Sequence, residues 1–129
     1  MGENYLLDTN AVIEFLGGIL PEPAIVWLEG IVAEDLHFLS VINQIELLGF
    51  NGEDEEMKTI EDFIGVSSVL SLSNEVVQQT IALRKEHKIK LPDAVIAATA
   101  LTHDLTIITR NTSDFEDIDG IKYINPHEK

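Results

Sequence analysis

Residues 91–109 read LPDAVIAATALTHDLTIIT and contain the two clearest elements of the chain. The spacing predicts a helix over 92–103, because Pro92 is tolerated in a first helical turn, where its missing N–H costs nothing. This helix is apolar on all sides, which is typical of a buried helix. Residues 105–109 are continuous and rich in β-branched side chains, which predicts a buried strand. A buried helix followed by a buried strand indicates a parallel sheet covered by helices.

The rest of the chain repeats this alternation. Further strands are predicted at 5–7, 36–39, 68–72 and 121–124, and further helices at 10–17, 22–33, 41–50, 54–64 and 74–88. Ser40 and Ser73 are candidate N-caps. We therefore expect an α/β fold, a three-layer α/β/α sandwich around a central parallel sheet. No repeat or linker divides the sequence, so a single domain over 1–129 is expected.

Composition excludes several classes of protein. There is no cysteine among the 129 residues, which rules out disulfide scaffolds, thiolate metal sites and cysteine nucleophiles. No basic segment followed by an apolar run suggests a signal peptide, and no apolar stretch approaches the roughly 20 residues of a membrane span. A cytoplasmic protein is expected. The net charge of −15 disfavours nucleic-acid binding on average.

Four acidic residues occupy positions that invite a functional explanation. Asp8 follows the first predicted strand, and Asp114 follows the strand over 105–109. Glu46 lies in a largely apolar helix, and Asp93 lies in the first turn of the buried one. Each also has an ordinary explanation: an N-cap for Asp8, a solvated side chain for Glu46, a favourable helix dipole for Asp93 and a turn for Asp114.

Taken together, the four acids fit those explanations poorly. Ligands of parallel α/β sheets bind beyond the carboxyl ends of the strands, and all four acids can reach that edge. Carboxylates that converge there cannot all stay ionised without a counter-charge. A hard divalent cation such as Mg²⁺ supplies it and can activate water for phosphodiester hydrolysis. The sequence therefore points to that class of reaction.

Four segments resemble the PIN-domain family, and within it the VapC-type toxins of toxin–antitoxin systems. They are LLDTN at 6–10, SVINQIELL at 40–48, LPDAVIAATA at 91–100 and ITRNTSDF at 108–115, in the family's order. The resemblance implies a PIN-like α/β/α fold with Rossmann-like topology and an endoribonuclease site that depends on Mg²⁺ or Mn²⁺. It also implies a homodimer and a cognate antitoxin that blocks the site.

By motif matching, Asp8, Glu46 and Asp93 are carried over as metal-binding and catalytic acids. Thr9 matches a position whose hydroxyl supports the first aspartate or a metal-bound water. The fourth acid departs from the pattern, because many relatives have an acid where this chain has Asn111. We assign the fourth metal-binding and catalytic position to Asp114 and keep Asn111 as a supporting residue.

The basic residues suggest where RNA phosphates would bind. Arg84, Lys88 and Lys90 precede Asp93, and Arg110 stands beside the fourth acid position, so all four are candidate phosphate contacts. The alternative for the cations near 84–88 is that they offset a helix C-terminus. The acidic run over 53–62 is interpreted as a solvated face, with the basic segment of an antitoxin as the alternative.

Two other functions compete with the ribonuclease. An aspartyl-phosphate enzyme would also place an aspartate after the first strand, but the dehalogenase type needs a second aspartate at the position of Asn10. A PIN-like module that binds RNA or a protein without cutting is the stronger rival. The retained Asp8, Glu46 and Asp93 argue against it, whereas Asn111 favours it.

Overall fold

Strands and helices alternate along the chain in a computed structural model, which describes residues 3–129. The strands are β1 (Tyr5–Leu7), β2 (His37–Ser40), β3 (Ser68–Leu70), β4 (Thr106–Ile108) and β5 (Lys122–Ile124). The helices are α1 (Thr9–Leu16), α2 (Glu22–Ala33), α3 (Val41–Leu48), α4 (Asp54–Gly65), α5 (Asn74–Glu86) and α6 (Leu91–His103). Short 3₁₀ turns cover Thr112–Asp114 and Pro126–Glu128. Within residues 3–129 no helix has the length and apolar character needed to cross a membrane.

The five strands form one parallel sheet in the order β3-β2-β1-β4-β5. The central strand β1 pairs with β4 in a register that aligns Tyr5 with Thr106 and Leu7 with Ile108. The strand order reverses between β1 and β4, and open α/β sheets bind ligands in the crevice outside such a reversal. This places the ends of β1 and β4 at the expected binding edge.

The core consists of two apolar layers, one on each face of the sheet. Leu6 and Ile107 point into the layer that contains the buried side chains of α5 and α6. Leu7 and Ile108 point into the other layer, with buried side chains of α1, α2 and α4. Neighbouring residues of a strand face opposite sides of a sheet, so each central strand contributes to both layers. The predicted three-layer fold is confirmed.

Boundaries differ from the predictions where pairing or backbone geometry ends an element. The strand predicted over 68–72 ends at Leu70, the last residue paired with β2. The helix predicted to reach 88 ends at Glu86, because His87 is extended, with φ −131° and ψ 151°. Thr109 lies outside β4, yet its N–H still donates to the carbonyl of Ile124 at 3.0 Å.

Both predicted serine caps are confirmed. The hydroxyl of Ser40 accepts the N–H of Ile42 at 3.0 Å, and that of Ser73 accepts the N–H of Val76 at 3.2 Å. These bonds satisfy amides that a helix leaves unpaired at its start. They fix the points at which α3 and α5 begin.

Close packing of α6 against the sheet predicts that its alanines do not tolerate enlargement. Ala97 is fully buried, so Ala97→Leu should lower the free energy of unfolding by about 1–3 kcal/mol through overpacking. Ala82 is exposed on α5, and Ala82→Leu should change it by less than about 0.5 kcal/mol. Urea unfolding of both variants measures the difference. Equal costs would contradict this account of the core.

Candidate metal-dependent active site

A cleft of about 260 Å³ opens at the carboxyl edge of the sheet, beside the reversal between β1 and β4. It is lined by Asp8, Thr9, Asn10, Ile13, Glu46, Phe50, Pro92, Asp93, Ile96 and Asn111. The structure thus brings together three of the predicted acids. Asp114 is exposed next to the lining, close enough for its charge to act on two of them.

Asp8 occupies the N-cap position of α1, but its side chain makes no capping bond. Its Oδ2 instead accepts the hydroxyl of Thr109 at 2.8 Å. Thr109 is fully buried, and its Oγ1 also accepts the backbone N–H of Asn111 at 3.0 Å. The capping explanation for Asp8 is therefore excluded, and the buried hydroxyl of Thr109, directly after β4, holds the carboxylate at the cleft.

Glu46 is held by a chain of hydrogen bonds that begins at the start of α3. The backbone N–H of Ser40 donates to Oδ1 of Asn43 at 2.8 Å, and Nδ2 of Asn43 donates to Oγ1 of Thr9 at 3.0 Å. The hydroxyl of Thr9 in turn donates to Oε1 of Glu46 at 2.6 Å. The family resemblance led us to expect this hydroxyl at Asp8 or at a metal-bound water. In the structure it donates to Glu46, and a contact with a metal-bound water stays a prediction.

Asp93 is the third residue of α6 and is partly buried. Its place in the first turn agrees with the helix-dipole explanation. Among residues 3–129, however, the structure contains no hydrogen bond or ion pair to its side-chain carboxylate. Both oxygens are thus available to a ligand in the cleft.

Burial raises the pKa of Asp8 above its ordinary value, and the negative charges of Glu46 and Asp114 raise it further. The hydrogen bonds from the Thr109 hydroxyl and the Thr9 backbone oppose the rise by stabilising the ionised form. Desolvation and like charge together exceed that stabilisation. The two hydrogen bonds therefore stabilise the negative charge of Asp8 only in part in the folded protein.

The pKa of Asp93 is raised for the same reasons. Burial contributes most, and the charges of Asp114, Asp8 and Glu46 add to it, while the nearby charge of Lys90 lowers the pKa. The expected repulsion among converging acids is therefore present at two of the four positions. The exposed ammonium of Lys90 offsets it only in part.

The donor set fits a hard divalent cation. Within the described residues no three histidine, aspartate or glutamate side chains form a group that could by itself hold a metal ion. Mg²⁺ does not need one, because it is usually held by one or two carboxylates together with water and substrate phosphate. Under-compensated carboxylates around an open cleft are ligands of that kind.

Thr109 and Asn43 are two site residues that the sequence analysis missed. Thr109 was included in a predicted strand, where its fully buried hydroxyl needed a partner that only the fold supplies. Asn43 stands three residues after the cap Ser40, a spacing typical of a capping box. That spacing was the available signal. The spacing did not reveal that the side chain of Asn43 also donates to Thr9.

None of the four candidate phosphate contacts lines the cleft itself. Lys90 is near Asp93, and Arg110 follows Thr109 at the end of β4. Nη1 of Arg110 donates to Oε2 of Glu14 at 2.8 Å, a partner that was not anticipated. Arg84 and Lys88 are exposed but do not line the cleft, and Arg84 lies in the last turn of α5. The helix C-terminus explanation fits Arg84.

The raised pKa of Asp93 predicts a stability effect in protein kept free of divalent cations. The folded chain binds this proton more tightly than the unfolded chain, so stability falls as pH rises from the ordinary aspartate range through the raised pKa. Asp93→Asn should raise the thermal midpoint at neutral pH and reduce that fall. Thermal unfolding in EDTA across acidic to neutral pH measures it.

The matched control is Asp119→Asn, which precedes β5 at the opposite edge of the sheet and should leave the pH dependence unchanged. An Asp93→Asn variant that keeps the wild-type pH dependence would show that its carboxylate is not under-compensated.

Comparison with known proteins identifies the family. The sequence model of the PIN domain matches residues 5–121. The chain is 33% identical to Toxin FitB of Neisseria gonorrhoeae, over 85% of this chain and 89% of that protein. It is similar to a toxin–antitoxin complex from Klebsiella pneumoniae, at 29% identity and a TM-score of 0.76, covering 95% of this chain and 98% of the other. VapBC2 from Rickettsia felis, bound to a promoter DNA fragment, shares the fold at 20% identity and a TM-score of 0.79, covering 94% and 97%. The chain belongs to the PIN-domain family.

Proposed function

We propose that this chain is the toxin of a toxin–antitoxin pair and acts in the cytoplasm as a divalent-metal-dependent endoribonuclease. The observation that carries the proposal is the convergence of Asp8, Glu46 and Asp93 on one cleft. Membership of the PIN-domain family and the similarity to Toxin FitB support it. The reaction is hydrolysis of RNA phosphodiester bonds.

Asp8, Glu46 and Asp93 would hold Mg²⁺ or Mn²⁺, with Asp114 as the fourth acid and Asn111 as a neutral oxygen donor beside them. A divalent cation bound there lowers the pKa of a water ligand and offsets charge on the phosphate. The substitution at Asn111 removes one carboxylate relative to many relatives, which weakens any second metal position. We therefore propose a single metal ion in the absence of RNA.

The chain's own contribution is to hold the carboxylates in place before the substrate arrives. Thr109 fixes one oxygen of Asp8, and Thr9 fixes one oxygen of Glu46. Each hydroxyl engages a single oxygen of its carboxylate. Because Asn43 fixes the Thr9 hydroxyl, little reorganisation is needed when a ligand enters.

RNA binding must overcome the negative charge of the site and of the chain as a whole. We propose that Arg110 and Lys90 contact phosphates next to the cleft, and that the exposed Arg84 and Lys88 add contacts farther along the strand. A bound cation removes the local repulsion. RNA affinity should therefore be higher with Mn²⁺ than with EDTA, as expected for phosphate-dominated binding.

The proposed antitoxin has a suitable surface beside the cleft. A groove of about 430 Å³ lies between α1 and α4 and shares Ile13 and Phe50 with the cleft lining. Glu53, Glu55 and Glu56 also line it. An apolar groove with acidic residues suits a peptide that combines apolar and basic side chains. Such a peptide would lie next to the cleft and block RNA.

A homodimer is part of the same proposal. Ile45 and Leu48 are three residues apart on α3, and their exposed fractions are 63% and 43%. They share one side of a helix that also carries Glu46. Apolar residues exposed in this way suit an interface with a second copy of the chain.

Cleavage of RNA tests the proposal directly. Structured RNAs incubated with the antitoxin-free protein and Mn²⁺ should give discrete fragments on denaturing gels. Asp93→Asn should reduce the rate by roughly 100-fold or more, because it removes a metal-binding charge. Asp119→Asn should cleave like the wild type. Intact RNA together with normal Mn²⁺ binding would contradict the enzyme and favour the non-cutting module.

The groove predicts a charge-dependent contact with the antitoxin. Glu55→Lys should weaken binding of the small protein encoded beside this chain by about 10-fold or more, because it opposes a basic peptide. Glu61→Lys is the matched control, since Glu61 is exposed on the same helix but does not line the groove. Titration calorimetry measures both. Equal weakening would indicate long-range electrostatics and contradict docking in this groove.

A further inference from the structure

Glu14 is a nearly buried carboxylate placed between two basic side chains from distant parts of the chain. Its side chain is 10% exposed. Oε2 accepts Nη1 of Arg110 at 2.8 Å, and Oε1 lies 3.0 Å from Nε2 of His127. A carboxylate only accepts hydrogen bonds, so the imidazole nitrogen is the donor in this pair. The partners are 96 and 113 residues away in sequence.

The burial of Glu14 shows that it is not simply a solvated surface residue. It is one of three buried residues of α1, and Ala11, three residues earlier, lies on the same side of the helix. Burying a carboxylate is costly unless it is paired and hydrogen-bonded, and an apolar side chain of similar size is often at least as stable. The charge is compensated only because Arg110 and His127 reach it. Stability alone therefore does not account for a glutamate here.

The hydrogen bonds of the site restrain the backbone around Arg110 but not its side chain. On one side of it, Thr109 is fixed through its hydroxyl to Asp8. On the other, the backbone N–H of Asn111 donates to Thr109, and Asn111 lines the cleft. The backbone at Arg110 is thus tied to the site, while its long side chain is not. Glu14 supplies the missing restraint.

The ion pair leaves the guanidinium able to bind something else. Glu14 engages Nη1, and 51% of the Arg110 side chain remains exposed. A guanidinium has five N–H donors in a planar fork that matches phosphate geometry. A carboxylate that grips one edge orients the fork and leaves its other donors free.

We propose that Glu14 is a positioning residue that orients Arg110 to bind an RNA phosphate at the rim of the cleft. His127, in the C-terminal turn, holds the second oxygen of Glu14. The backbone N–H of His127 donates to Oδ1 of Asn125 at 2.9 Å, and this bond fixes the geometry of the turn. This inference rests on the proposed ribonuclease function. It adds that the C-terminal turn acts on the site through one carboxylate.

A double-mutant cycle on RNA cleavage with Mn²⁺ tests the inference. Glu14→Gln and Arg110→Ala should each raise KM by about 10-fold, the scale of one charge-assisted hydrogen bond, with kcat within about 3-fold of wild type. The double variant should match Arg110→Ala alone, because Glu14 acts only through Arg110. A general loss of folding would lower kcat and the thermal midpoint instead.

The His127 variants repeat the test with Glu14 unchanged, which covers a Glu14→Gln variant that does not fold. His127→Ala should raise KM, and His127→Gln, which still donates to Glu14, should restore it. Glu29→Gln, an exposed glutamate on α2, serves as the control for loss of a negative charge.

The possible outcomes separate this inference from the proposed function. Suppose that the wild type cleaves RNA, but the effects of Glu14→Gln and Arg110→Ala on KM multiply in the double variant, or neither substitution changes KM. Glu14 then does not position Arg110, and only this inference is overturned. If the wild type cleaves no RNA with Mn²⁺, the proposed function is overturned and the inference with it.

Discussion

The mutual repulsion of carboxylates at one edge of the sheet is the constraint on which the rest of the structure depends. Asp8 and Asp93 are partly buried, and each feels the charge of Glu46 and Asp114. In the absence of a cation this arrangement costs stability. The parallel sheet and its two apolar layers tolerate that cost because they fix the backbone beneath the acids independently of the site. A positive ion that binds there relieves the repulsion, and this relief favours its binding.

Hydroxyl and amide side chains turn this repulsion into a defined site. Thr109 and Thr9 each hold one carboxylate, and Asn43 holds Thr9. All three are uncharged, so they orient the acids without neutralising them. Had a lysine or arginine been paired with Asp8, the local charge would be satisfied and the cation displaced. The ion pair of Arg110 with Glu14 involves none of the acids of the cleft.

The fold and the position of Asp8 could be predicted from sequence because both follow from local patterns, whereas the roles of Glu46 and Asp93 came from the family resemblance. Apolar periodicity marks the helices and strands, and an acid directly after a buried strand must lie at the carboxyl edge of a parallel sheet. Partners of individual side chains could not be predicted this way. Thr109 reaches Asp8 across 101 residues and Glu14 reaches Arg110 across 96, and nothing in the local sequence encodes those distances. The assignment of roles at Asn111 and Asp114 remains a proposal for the same reason.

Mn²⁺ titration followed by amide NMR tests the central claim most directly, because the paramagnetic ion broadens only nearby resonances. The account predicts that the amides of Thr9 and Asn111 broaden first, at metal concentrations that leave Asp119 unaffected. The most acidic segment of the chain is α4 together with Glu53, and its acidic side chains are exposed. Broadening that begins on α4, or that spreads evenly over the acidic surface, would contradict the claim that the cleft is the cation site.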